Sequence, residues 1–365
     1  GIRDRSPSRG LGDVYKRQTC AIREHAEDKI HSRLGFYNKI KEKRPSTIIG
    51  ILGCMAQNLK ENILESKPYV DIVLGPDSYR NLLDMIKARD NESLQYIDTN
   101  LSRNEVYENM TPNRNEGVNA WISIMRGCDK FCTFCVVPFT RGRERSRSIE
   151  SIVTEASQAV IDGFSEITLL GQNVNSYNHD RRGFDKLLVE IAAIPNLKRI
   201  RYTSPHPQDM TQEVIDVMAK FNNICNYVHL PLQAGNNNVL KRMNRTYTKE
   251  DFLSLVTRIR KTLPNVGLST DIIVGFPGEN DMEFQETLDV MELVRFDSAY
   301  TFKYSARPGT KAAEFDDHVS EFEKQSRLEK VILIQREHTL INNKNFMGRT
   351  ELVLVEKESK KSNKK

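Results

Sequence analysis

Cys128, Cys132 and Cys135 fall within eight residues, in the segment Arg126-Gly-Cys-Asp-Lys-Phe-Cys-Thr-Phe-Cys135. Three thiolates at C-x3-C-x2-C spacing can each hold one iron of a 4Fe–4S cluster and leave the fourth iron without a protein ligand. S-adenosylmethionine can chelate such an open iron through its amino and carboxylate groups, take up an electron and break its C–S bond. The protein's part is then to position and shield the cofactor. A zinc site or three buried structural thiols is the other reading of the same residues. Zinc more often takes four protein ligands in paired C-x2-C units, and no fourth Cys or His lies nearby in the sequence. The remaining cysteines, at 20, 54 and 225, are scattered. Such grouping, in a chain with no apolar signal segment, points to metal binding rather than disulfides.

A loop of this kind needs a scaffold, and the downstream sequence supplies one. Hydrophobic periodicity predicts strands at 120–126, 166–171, 198–204, 227–233, 266–275 and 298–305. Helical periodicity follows each of them, at 148–162, 184–193, 211–220, 249–261, 281–293 and 320–343. Six consecutive βα units predict a parallel sheet curled into a partial (β/α)6 barrel, with its chemistry at the C-terminal strand ends. The cysteine motif directly follows the first strand. At the ends of later strands stand Gln172 and Asn173, then Ser204 and His206, then Gln233, and Asp271 ahead of Gly275-Phe-Pro-Gly-Glu279. These six are the candidate cofactor-binding residues, although glycine and proline at strand ends also make ordinary turns.

Upstream, a helix over 21–43, a strand over 47–52 ending at Gly53-Cys54, a helix near 58–66, a strand near 70–74 and a helix near 77–89 predict a smaller open α/β, flavodoxin-like domain. The expected division is 19–99 for that domain, 100–119 for a polar linker, 120–345 for the barrel, and 346–365 for a stub whose segment Thr350–Val355 reads as a strand. Residues 1–18 are rich in Arg, Gly, Ser and Asp without period and resemble a translated sequencing-adapter artefact, so they are read as a non-native leader.

With 365 residues, 38% hydrophobic and 28% charged, the chain has the composition of a globular protein of more than one domain. No apolar run approaches the roughly 20 residues that span a bilayer, and the start lacks a secretory signal. The expected compartment is the cytoplasm, with no membrane partner. Net charge is +5, from 54 Lys+Arg against 49 Asp+Glu. That balance says little about nucleic acid, but local clustering says more. Arg141, Arg143, Arg145 and Arg147 fall within seven residues, and five lysines lie between Lys357 and Lys365. The lysine tail reads as a solvated end.

The segment from Ile124 to Arg147, with Cys-Asp-Lys-Phe-Cys-Thr-Phe-Cys-Val-Val-Pro-Phe-Thr-Arg-Gly-Arg-Glu-Arg-Ser-Arg at 128–147, resembles the methylthiotransferase branch of the radical S-adenosylmethionine family. Within it the likeness is to the tRNA enzymes that act on isopentenylated adenosine. Thr19-Cys-Ala-Ile-Arg-Glu-His-Ala-Glu27 and Gly53-Cys-Met-Ala-Gln57 match the N-terminal domain of those enzymes, and the resemblance runs from Thr19 to about Val355. The sister branches, which act on threonylcarbamoyladenosine in tRNA or on ribosomal protein S12, usually carry Pro soon after the Arg-Gly. Here Arg141-Gly142 is followed by Arg143-Glu144-Arg145. Arg23-Glu24-His25 also argues against both sisters. A non-catalytic metal- or RNA-binding fragment is the alternative from a different class.

The resemblance implies a methylthio group placed on C2 of isopentenylated adenosine at position 37, beside the tRNA anticodon. Two S-adenosylmethionine molecules are used, one as methyl donor and one as source of the 5′-deoxyadenosyl radical. A base in a single-stranded loop is cheap to splay into a pocket, and arginines at 141, 143, 145 and 147 suit phosphate; a solvated loop is the plain alternative. Two 4Fe–4S clusters are implied, with Cys20 and Cys54 as ligands of the auxiliary, sulfur-delivering one. Its third cysteine is expected upstream of Cys20, where this sequence has none. The implied C-terminal RNA-binding β-barrel, a TRAM domain, is expected only as the stub. A flavodoxin or ferredoxin reductant and a monomeric state complete the expectation.

Overall fold

A computed structural model of the chain describes residues 24–356 except 93, 94, 109, 111, 115 and 116. Cys20, the leader over 1–18 and the lysine tail lie outside the described residues. The chain divides into two compact units. One takes the residues up to Arg103 together with Val136–Gly142, and the other takes Asn104–Cys135 and everything from Arg143 onward.

The smaller unit alternates α1 (Glu24–Lys43), β1 (Gly50–Leu52), α2 (Cys54–Leu59), α3 (Glu61–Ser66), β2 (Ile72–Leu74), α4 (Leu82–Glu92) and β3 (Tyr96–Asp98). The three strands run parallel in chain order, with Gly50 beside Ile72 and Ile72 beside Tyr96. Ile30, Leu34 and Tyr37 recur at helical spacing on α1 and pack with Ile49, Ile51, Met55, Ile63 and Val73. Asp71 is buried at the start of the central strand β2. Burial alone would raise its carboxyl, but the Ile49 N–H at 2.8 Å, Lys41 at 2.6 Å and Arg89 at 2.9 Å outweigh it and hold it below the usual carboxylate range. Two expectations change here. Cys54 does not close the strand but opens α2, because Gly53 turns the chain at φ 104°. The helix expected near 58–66 is two short helices parted at Lys60, whose φ is +47°.

The larger unit begins with β4 (Asn119–Ser123) and β5 (Met125–Arg126). After α5 (Val137–Arg141), which packs with the smaller unit, come β6 (Arg145–Ser146), α6 (Ile149–Ile161), β7 (Glu166–Leu170), the short ribbon β8 (Asn178–His179) and β9 (Arg182–Gly183), and α7 (Phe184–Ala192). Then follow β10 (Arg199–Tyr202), α8 (Gln212–Lys220), β11 (Tyr227–His229), α9 (Asn237–Arg242), α10 (Lys249–Thr262), β12 (Gly267–Val274), α11 (Asp281–Val294), β13 (Ser298–Lys303) and α12 (Glu321–Lys344). The long strands are parallel in the order β4-β7-β10 and β11-β12-β13. A parallel bridge from Ile200 to Ile224 joins the two halves. The result is the expected partial barrel of six βα units.

Local chemistry fixes where the helices start. Ser148, Thr211 and Ser320 each cap a first turn with their hydroxyl, and Thr248/Asp251 and Asn280/Glu283 form reciprocal capping boxes. On α6, Ile149, Ile152, Ala156 and Ala159 form one buried stripe against the sheet. Strand alternation then sorts the two sheet faces. Ile272 and Val274 pack outward with Phe284, Leu288, Met291 and Val331, so Ser269, Asp271 and Ile273 face inward. By register with them, Tyr300 and Phe302 of β13 share the inner face. Each fully buried Leu or Ile on the helix side contributes on the order of 1.5–3 kcal/mol.

The strand expected at Thr350–Val355 does not form among the described residues. Leu352, Val353 and Val355 are exposed, and Arg199 Nη2 donates to the Leu352 carbonyl at 3.3 Å. An apolar run needs a neighbour for its ladder before it becomes a strand, and among the described residues no strand pairs its backbone with this run. Among the described residues no helix is long and apolar enough to cross a membrane.

Candidate active site

The cysteine loop leaves β5 through Gly127, which takes the left-handed φ of +79° that glycine permits. Its backbone is tied down from all sides. Gln172 Oε1 accepts the Gly127 N–H at 2.7 Å, and Asn244 Nδ2 donates to the carbonyls of Lys130 and Phe131 at 3.2 and 2.9 Å. The Thr133 N–H reaches the Met243 carbonyl at 3.1 Å and its hydroxyl the Arg242 carbonyl at 2.8 Å, while Ala312 N–H donates to Thr133 O at 2.9 Å. Lys130 is paired with Asp209 at 2.8 Å. These ties hold Phe131 at a φ of +48°, a strained value for an aromatic residue.

Cys128, Cys132 and Cys135 are half-buried on that loop and joined in no disulfide, and Cys135 N–H donates to Cys132 O at 3.0 Å. Arg245 Nη1 donates to Cys132 Sγ at 3.4 Å, with its other nitrogens on Tyr247 OH and the Pro231 carbonyl. Burial pushes the Cys128 thiol up to about 11, so metal binding there must displace a proton. Among the described residues, no three His, Cys, Asp or Glu side chains gather about a single-ion position. One thiol per iron on a braced loop, with a guanidinium beside one sulfur, is a donor set that suits a 4Fe–4S cluster.

The strand-end residues divide by what they touch. Gln172 braces the cysteine loop, as above. Asn173 is buried, with Nδ2 on Asp209 at 2.7 Å, and its Oδ1 has no partner among the described residues. Ser204 turns the chain at a φ of +58°, and its carbonyl accepts from Val174 N–H. His206 is buried, with its Nδ1 accepting the Gln208 N–H at 3.3 Å; burial first, then Arg245 and Lys130, pushes it down to about 2. Gln233 bridges to β12 through its backbone, its N–H on Asp271 O and its carbonyl taking Ile273 N–H. Asp271 alone of the six carries a carboxylate on the inner sheet face, 3.3 Å from His229 Nε2. Strand alternation in the sequence would have paired Ser269, two residues before it on β12, with Asp271; His229 ends the three-residue β11, short of the strand end at 233 that the sequence pattern suggested.

The arginine run does not form one surface. Arg147 is buried, with Nη1 on Glu155 at 2.6 Å and Ser123 O at 2.9 Å and Nη2 on Ser151 Oγ at 2.8 Å. Arg145 is buried, donating to the carbonyls of Glu105 and Arg143. Arg143 is exposed beside Asp129 and over the Phe131 ring. Within the smaller unit, Arg141 Nε donates to Cys54 Sγ at 2.9 Å. Cys225 is half-buried, and burial pushes its thiol up.

A buried charge cluster anchors the loop after β12. Glu279 accepts the Gly275 N–H, and Arg327 donates to the Glu279 carbonyl at 2.8 Å. Gly275 has a φ of +68°, and a Cβ there would lie 2.3 Å from Lys324 Cγ, so only glycine fits.

Residues 122–291 match the model of the Radical SAM superfamily, and residues 5–75 match that of the Uncharacterized protein family UPF0004. The tRNA-2-methylthio-N(6)-dimethylallyladenosine synthase of Christiangramia forsetii is 44% identical over 96% of this chain and 77% of its own length. Its namesakes from Carboxydothermus hydrogenoformans and Porphyromonas gingivalis are 43% and 45% identical, over 97% and 96% of this chain and 82% and 77% of theirs. Among solved structures, the radical S-adenosylmethionine methyltransferase TsrM from Kitasatospora setae superposes with a TM-score of 0.61 at 17% identity, over 77% of this chain and 62% of its own. The cobalamin-dependent radical enzyme OxsB gives 0.58 at 15% identity, over 87% and 47%. At such identities these two support the fold alone.

Proposed function

The chain belongs to the tRNA-2-methylthio-N(6)-dimethylallyladenosine synthase family of radical S-adenosylmethionine proteins, and from that membership we propose that it methylthiolates C2 of N6-isopentenyladenosine at position 37 of tRNA. The observation that carries the reading is the braced three-thiol loop at the mouth of a six-stranded partial barrel, in a chain this similar to the named enzymes. Cys128, Cys132 and Cys135 are the proposed ligands of a 4Fe–4S cluster, and Cys54 with Cys20 those of an auxiliary one. Bound there, the first cluster and S-adenosylmethionine supply the one-electron chemistry that makes a 5′-deoxyadenosyl radical.

The chain's own residues do the rest by position. Gln172, Asn244 and Thr133 fix the loop so that its thiols need little reordering on metal binding. Arg245 places positive charge against Cys132 Sγ. Arg141 offers the same to Cys54. Exposed Arg143 is the member of the arginine run proposed to meet tRNA phosphate. A flavodoxin or ferredoxin as reductant, a monomeric state and a cytoplasmic location belong to the same proposal.

The test is anaerobic reconstitution with iron and sulfide, followed by incubation with reductant, S-adenosylmethionine and tRNA carrying N6-isopentenyladenosine. Mass spectrometry of the digested tRNA should show the 2-methylthio nucleoside. Its absence, or methylthiolation of threonylcarbamoyladenosine instead, overturns the reading.

A further inference from the structure

The inner face of the larger unit holds a chain of four polar side chains that the cysteine chemistry does not use. Asp271 Oδ2 lies 3.3 Å from His229 Nε2, and His229 Nδ1 lies 2.8 Å from Ser269 Oγ. Ser269 Oγ also meets the Tyr227 hydroxyl. Tyr227 O–H can donate to Ser269 and Ser269 O–H to His229 Nδ1, which leaves His229 Nε2 facing Asp271 Oδ2 across 3.3 Å. The hydrogen bond at Nδ1 thus orients the imidazole with Nε2 toward the carboxylate.

One Asp271 oxygen thus faces His229, while the other has no partner among the described residues and the side chain stays 28% exposed. Its register partner on β13 is Tyr300, whose ring meets His229 edge-on with centroids 5.8 Å apart. Tyr300 and Phe302 are 57% and 38% exposed, high values for aromatic side chains on the concave face of a sheet. A fixed acceptor beside open aromatic rings is what a flat heterocycle with an N–H donor requires. Asp271 also sits three residues before the end of β12, about 10 Å below the strand ends at which the cysteine loop lies. That depth suits the substrate base better than the cofactor at the mouth.

We propose that Asp271 is a substrate-binding residue that accepts the N6–H of the isopentenylated adenine, with His229 and Ser269 as its positioning residues and Tyr300 as a stacking wall. The proposal rests on the function proposed above and adds the group that reads the base.

The experiment compares two anticodon stem-loops as substrates of the reconstituted full chain. One carries N6-isopentenyladenine; the other carries N6-isopentenyl-N6-methyladenine, which lacks the N–H. Wild-type protein should favour the first by about 10–100-fold in kcat/KM, the loss expected for a hydrogen bond to a charged acceptor. Asp271→Ala should lower turnover of the first substrate by a similar factor and abolish the discrimination. His229→Ala should raise KM for RNA more than it lowers kcat, with partial rescue in His229→Gln, which restores a donor toward Asp271. Should Asp271→Ala fail to fold, Ser269→Ala and the wild-type comparison still decide. Equal wild-type turnover of both stem-loops overturns the inference alone. So does an Asp271→Ala variant that keeps the discrimination and raises KM for S-adenosylmethionine instead, since Asp271 would then be a cofactor ligand. No wild-type turnover of either stem-loop overturns the function itself, and the inference with it.

Discussion

Arg327 of α12 and Glu279 at the end of the β12 loop are buried against one another, 3% and 4% exposed, with Nη1 3.3 Å from the carboxylate and 2.8 Å from the Glu279 carbonyl. The same guanidinium reaches Asp281 at 3.0 Å and Glu323 at 3.3 Å. One cation thus ties the loop after β12 to the first turns of α11 and α12. Burial pushes the Glu279 carboxyl up to about 7 even though Arg327 pulls it down, so the pair is sustained by its geometry rather than by solvent.

Arg327→Ala should therefore be among the most damaging substitutions in the larger unit. It leaves a carboxylate buried without its partner, which costs about 3–5 kcal/mol. Arg327→Met combined with Glu279→Gln should recover most of that loss, because no charge is then stranded. Urea unfolding of the three proteins checks it; equal stability of Arg327→Ala and wild type would show the pair to be incidental.

Much of this scaffold was legible in the sequence because its signals are local. The six strand–helix pairs of the larger unit announced themselves by period, and caps such as Ser148 and Thr248 set the helix starts within a residue or two. The pieces that escaped are short: α9, α5 and β3 have three to six residues, too few for a period to register. The arginine run shows the deeper limit. Alternate residues of like charge look identical in sequence, yet Arg145 and Arg147 are drawn inward by carbonyls and Glu155, while Arg143 is left outside. Which side of the surface a charge takes depends on acceptors 20 or more residues upstream, such as Ser123 and Glu105.

That difference gives a paired prediction. Arg147→Ala should destabilise by about 1–3 kcal/mol, since Glu155 keeps Arg114 but loses its second cation, and the Ser123 carbonyl and Ser151 hydroxyl lose their donor. Arg143→Ala, at an exposed position, should change stability by less than about 0.5 kcal/mol. If Arg143 meets a tRNA phosphate, its loss should weaken RNA binding and reduce the slope of log K against log salt by about 1. Thermal unfolding and salt-dependent anisotropy with a labelled anticodon stem-loop separate the two effects. An unchanged salt slope would remove Arg143 from the RNA contact.

His206 should make the larger unit acid-sensitive. Its folded value is depressed to about 2, below the roughly 6.5 of an unfolded histidine, because the ring is buried and faces Arg245 and Lys130. A depressed value means that the contribution to stability is complete above about pH 6.5 and is lost as pH falls toward 2. Between about pH 6.5 and 5 the loss amounts to roughly 2 kcal/mol. His206→Gln keeps a side-chain acceptor near the Gln208 N–H and removes the titration. Urea midpoints at several values in that range should fall more steeply for wild type than for the variant. Parallel slopes would mean that His206 is not the group responsible.

Cys132→Ala isolates the metal from the scaffold. Among the described residues the thiol has one hydrogen-bond partner, Arg245 Nη1 at 3.4 Å, and Arg245 keeps Tyr247 and Pro231 as partners when it is gone. The loop around it is held by Gln172, Asn244 and Met243, none of which touches the sulfur. The metal-free variant should therefore unfold within about 1 kcal/mol of metal-free wild type. A 4Fe–4S cluster with one thiolate per iron, however, cannot lose a protein ligand and keep both its iron content and its site for S-adenosylmethionine. After reconstitution the variant should hold fewer irons per chain than wild type and form no 5′-deoxyadenosine. Full iron content with undiminished 5′-deoxyadenosine formation would take Cys132 out of the ligand set. Loss of stability in the metal-free form would instead assign the cysteine to packing.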